Sequence, residues 1–130
     1  MRAALVAAAV SGLPSTVHAL ATGRDPLEAT KAAGAIVAGE RAPAPVQVLA
    51  AAPLHLAISI GWAAVLERAL PARHRVLWGA AAGLVIAALD LGVVGRRIPA
   101  VRALPLGPQL ADHAVFGAAV GLLSAGRSGS

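Results

Sequence analysis

Four hydrophobic stretches of this chain carry ionisable side chains: His18 on the first, His55 on the second, Asp90 on the third, and Asp112 with His113 on the fourth. Imidazole and carboxylate groups held together can exchange protons near neutral pH, bind a cation or hydrogen-bond a small polar solute. Inside a bilayer such groups are costly unless paired or wetted, so they mark a functional site. Ser15 and Ser59 lie one turn from His18 and His55. The candidate ligand set is therefore Ser15, His18, His55, Ser59, Asp90, Asp112 and His113.

Composition says what kind of molecule must position them. Of the 130 residues 58% are hydrophobic and 13% charged, against about 25% charged in a soluble domain. The apolar residues come in blocks, so the chain reads as an integral membrane protein. It has no cysteine, which excludes disulfides, thiolate ligands and Cys nucleophiles. The aromatic residues are Trp62, Trp78 and Phe116, too few for a nucleic-acid stacking platform or an aromatic cage. The basic residues that give the net charge of +5 cluster at the ends of apolar segments. They read as anchors at the lipid headgroups, not as a nucleic-acid surface.

The runs predict four membrane spans, at about 3–22, 46–70, 76–95 and 109–126, each near the ~20 residues a helix needs to cross. Arg2, the apolar run over 3–10 and Ala19-Leu20-Ala21 also have the makings of a cleavable leader. Between the first two spans, Asp25, Pro26 and Glu28 read as a capping box that opens a short helix over 25–39. It is too short to cross and is expected at the interface, over the polar groups. The link 71–75 is tight, making the second and third spans antiparallel neighbours. The link 96–108, with Pro99, Pro105 and Pro108, is expected to be irregular. Residues 127–130 read as a flexible tail. The expected fold is an all-α, four-transmembrane-helix bundle in one domain, 1–126.

At about 1.5 Å per residue, measured from the 23–43 and 96–108 loops, His18 lies ~6 Å deep, His55 ~13 Å, Asp90 ~8 Å and Asp112-His113 ~5–6 Å. All fall in one half of the bilayer. Helical spacing puts Ser11, Ser15 and His18 on one stripe; His55, Ser59 and Trp62 form another. Asp90 shares a face with Gly79 and Gly83, and His113 shares one with Gly117 and Gly121. Small residues let membrane helices approach closely, so these faces should point inward. Asp90, between Leu89 and Leu91, is expected beside a histidine. Pro14 and Pro53 each free a backbone carbonyl one turn back, near Val10 and Leu49.

Several chemistries compete for this cluster. Haem ligation by two histidines is disfavoured by the ~7 Å difference in depth between His18 and His55. A divalent metal could take His18, His55, Asp90 and His113, though no H-x-x-x-H spacing supports it. A hydrolase would use Ser15 and His18 with an acid, but a G-x-S-x-G elbow is missing. No cofactor is predicted. The favoured reading is non-enzymatic: a cluster that binds or conducts a proton, an ion or a small polar solute, in a homo-oligomer. The alternative is an accessory subunit of a larger membrane complex. The two loops carry six basic residues (Arg24, Lys31, Arg41, Arg96, Arg97, Arg102) and the other side five (Arg2, Arg68, Arg73, Arg75, Arg127). That narrow bias points to a bacterial-type inner membrane with both termini outside.

Overall fold

A computed structural model describes residues 1–125. The chain forms α1 (Arg2–Ser11), α2 (Leu13–Thr22), α3 (Glu28–Ala38), α4 (Ala44–Ala69), α5 (Arg75–Leu89), a π-helical turn (Asp90–Val94), α6 (Pro99–Arg102) and α7 (Leu106–Ala125). No strand occurs among the described residues. Three helical stretches are long and apolar enough to cross a membrane: Arg2–Thr22 with 21 residues, Ala44–Ala69 with 26 and Arg75–Val94 with 20. Large apolar side chains point outward along them, among them Leu20, Leu49, Leu77 and Val85, as a lipid-facing surface requires. The stretch expected at 109–126 folds as α7, but Gln109, Asp112 and His113 dilute its apolar character. Its residue 126 and the tail 127–130, with Arg127, lie outside the described residues.

The first apolar stretch is not one continuous helix. Pro14 cannot donate to the Val10 carbonyl, and that carbonyl instead accepts from the Gly12 N–H, where α1 stops. α2 restarts with Pro14 in its first turn and ends at Gly23, whose φ of 70° suits a residue without Cβ. α4, by contrast, runs unbroken through Pro53.

Two local expectations are corrected. α3 begins at Glu28 behind Leu27 with no side-chain cap. Glu28 turns back to the Arg24 guanidinium at 2.8 Å, so it is not available to the Asp25 N–H. Asp25 accepts from the Leu27 N–H at 2.8 Å and pairs with Lys31. Neighbouring cations thus out-compete the capping box. The 96–108 link is not wholly irregular either: Pro99 opens the single turn of α6, and α7 starts two residues before Pro108.

Glycines set the closest helix contact. α5 and α7 lie antiparallel in a fixed register. A Cβ on Gly79 would sit 2.1 Å from the Gly117 carbonyl oxygen, one on Gly83 2.0 Å from that of His113, and one on Gly121 2.3 Å from that of Arg75. Gly79-x-x-x-Gly83 and Gly117-x-x-x-Gly121 therefore interlock backbone to backbone. Gly34 of α3 meets the Gln47 backbone of α4 in the same way. At the far end Arg75 donates to the Glu67 and Leu70 carbonyls and to Ser124 Oγ, tying α4, α5 and α7 together. Ala4, Ala7, Ala63, Leu66, Ile86, Phe116 and Val120 fill the space between.

Candidate functional site

The break at Gly12 exposes backbone groups that a continuous helix would have paired, and side chains of α1, α4 and α7 take them. The Ala8 carbonyl accepts from the Ser11 hydroxyl at 3.0 Å and from His55 Nε2 at 3.0 Å. A carbonyl only accepts, so His55 carries its proton on Nε2. The Ser15 N–H, in the first turn of α2, donates to Asp112 Oδ1 at 2.9 Å. The Ser15 hydroxyl donates to Asp112 Oδ2 and accepts from Gln109 Nε2 at 3.0 Å. Asp112, on α7, thereby caps the N-terminus of α2 from a different helix.

A second network joins α7 to the end of α5. His113 Nδ1 lies 2.8 Å from the Gln109 carbonyl oxygen, and Nε2 lies 3.3 Å from Asp90 Oδ2. The Gln109 carbonyl again demands a proton on Nδ1. The Nε2–Asp90 bond then needs exactly one more proton between the two groups: on the imidazole, leaving a carboxylate, or on the carboxyl, leaving a neutral imidazole. Asp90 opens the π-helical turn, closed by the Gly95 N–H on the Asp90 carbonyl at 2.8 Å. Such turns occur often at functional sites. This one interrupts the helical pattern as soon as the acid has been presented.

Both networks border one half-open cavity of about 510 Å³ lined by α1, α3, α4, the end of α5, the 96–105 segment and α7. His55, Ser59, Asp90, Asp112 and His113 line it, together with Ser11, Thr30 and Gln109. α3 supplies Ala29, Thr30, Ala33 and Ile36 to the wall. Ser15 stands just behind it, bound to Asp112. His18 is not brought to the group. It is half-buried on α2, does not line the cavity, and its ring has no hydrogen-bond partner among the described residues. His18 lies one turn beyond Ser15 on α2, a helix that supplies no residue to the cavity wall.

The four candidate metal ligands, His18, His55, Asp90 and His113, are not gathered at one point. No group of three or more His, Asp or Glu side chains among the described residues is arranged to hold an ion. His55 is turned to a carbonyl, and both nitrogens of His113 are engaged. The sequence reading missed Ser11 and Gln109. Ser11 lies one turn before Ser15 and Gln109 one turn before His113, a spacing that could have identified both.

Outside the helices, Asp25 is held below the ordinary carboxylate range by Lys31 and by the Leu27 N–H. Arg24 is raised by its bond to Glu28. Both pairs stand on the loop side, at the mouth of a second, smaller pocket between α3 and α6. No protein-family model, curated protein or solved structure matches this chain.

Proposed function

We propose that the chain is a four-span integral membrane bundle, α3 lying at the interface over its polar end, and that the cavity binds or conducts a proton, an ion or a small polar solute. α7 serves as the fourth span. Its 20 residues measure about 30 Å, the thickness of the hydrocarbon layer. Its polar side chains are turned to Ser15, Asp90 and the cavity. The observation that carries the reading is the His113–Asp90 contact at the cavity wall. With Nδ1 committed to a carbonyl, this pair holds one exchangeable proton and presents it to the cavity.

The test is Asp90→Asn, reconstituted in liposomes, with proton and solute flux measured beside the melting temperature. Loss of flux with the melting temperature kept supports the reading. Unchanged flux with lowered melting assigns the pair to helix packing and favours an accessory subunit. Such a subunit should co-purify with unrelated chains, whereas a transporter should travel with copies of itself.

A further inference from the structure

We propose that the cavity takes an organic monocation, an amine or ammonium with an apolar body, whose charge settles at Asp90 in exchange for one proton. The proposal rests on the cavity being a binding site and names the class of ligand. Charge makes the first selection. The lining holds two carboxylates and two histidines, and no Lys or Arg. An anion would be desolvated opposite Asp90 and Asp112 with no fixed cation to receive it.

Hydrogen bonding selects between the acids. Both oxygens of Asp112 are occupied by Ser15. Asp90 uses Oδ2 for His113, its Oδ1 has no partner among the described residues, and its side chain is 37% exposed. A hard inorganic ion needs several oxygen ligands converging on it, and among the described residues the acids and histidines do not converge in threes. An organic cation needs one counter-charge and an apolar wall. Ile86, Trp62 and Phe116 provide the wall. Two of the three aromatic residues of the chain thus line this space, and a cation is attracted to aromatic rings within about 6 Å. A volume of about 510 Å³ is the size of a small-molecule site.

The proton count follows from His113. In either arrangement the pair holds one proton beyond the Nδ1–H. A cation at Asp90 needs the carboxylate ionised and repels an imidazolium beside it, so His113 becomes neutral and the proton leaves to water. His55 on α4 and Asp112 on α7 face the same space; α1, α3 and α6 contribute no ionisable group to the lining.

The experiment uses the full chain in detergent with Trp78→Phe, leaving Trp62 as the reporter. Benzyltrimethylammonium, neutral benzyl alcohol and anionic phenylacetate are titrated in turn. Near pH 8 the cation should bind at least about tenfold tighter than the other two. It should weaken as the pH falls toward about 5, with about one proton released per cation, read from heats in two buffers. Asp90→Asn should reduce the cation to the affinity of the alcohol. If the alcohol binds and the cation binds no better, the cation class is overturned and the cavity remains a binding site. Cation binding undiminished in Asp90→Asn also overturns it. If none of the three perturbs Trp62 fluorescence, the binding-site reading falls with it.

Discussion

Ser15 and Asp112, 97 residues apart, form a helix cap in which the helix comes from one segment and the capping carboxylate from another. The arrangement exists because Pro14 stops α1 and restarts α2, so that the Ser15 N–H has no carbonyl one turn back to serve. Asp112 is therefore held by a backbone group that no substitution at position 15 other than proline removes.

Replacing Asp112 with Ala should cost about 1–2 kcal/mol, the usual worth of a cap, whereas Asp112→Asn should cost less because its amide oxygen still accepts from the Ser15 N–H. Ser15→Ala should also cost less than Asp112→Ala. Denaturant unfolding in detergent would read all three. Equal losses for the three variants would contradict the backbone contact.

Gly79→Ala and Gly117→Ala each drive a methyl group into a carbonyl about 2 Å away and should destabilise by about 1–3 kcal/mol. Gly61 meets nothing within 4 Å. Gly61→Ala should be neutral or slightly stabilising, since Ala is the better helix former. Melting temperatures of the three variants check the register directly.

Asp25 offers a pH signature away from the membrane core. Its folded value lies below the ordinary 3.8 because Lys31 and the Leu27 N–H stabilise the carboxylate. A depressed acid stabilises the fold fully above its unfolded value, and that contribution disappears as pH falls through the folded value. Hydrogen-exchange protection at the start of α3, taken relative to the intrinsic rate at each pH, should therefore fall below about pH 4, and Asp25→Asn should abolish the change. Salt should weaken the effect, since the pair is exposed.

Gln109 acts twice, through separate groups. Its side chain donates to Ser15 and its carbonyl receives His113. Gln109→Leu should lower stability by about 1 kcal/mol while leaving the proton on His113 Nδ1, which nitrogen chemical shifts would report. A changed tautomer would show that the side chain, not the backbone, orders the ring.

The helices were legible wherever apolar runs are long. The expected 46–70 and 76–95 fold as Ala44–Ala69 and Arg75–Val94. Gly79, Gly83, Gly117 and Gly121 carry the contact that their spacing implies, because a bare backbone has few other uses in a membrane helix. The capping box was misread because Arg24 and Lys31 bid for the same carboxylates, a competition that a motif does not reveal. The π-helical turn after Asp90 has no residue signature. His55 was expected among charged partners, yet its bond goes to the Ala8 carbonyl. The Gly12 N–H, which would serve that carbonyl in a continuous helix, turns instead to the Val10 carbonyl.

The glycine-to-glycine contact also limits how the molecule can move. Where Gly79 and Gly83 meet Gly117 and the His113 carbonyl the two backbones lock together, and α5 and α7 carry Asp90 and His113 as a single stiff post. Whatever widens or narrows the chamber must then be a displacement of its other walls, α1, α3, α4 and the 96–105 segment.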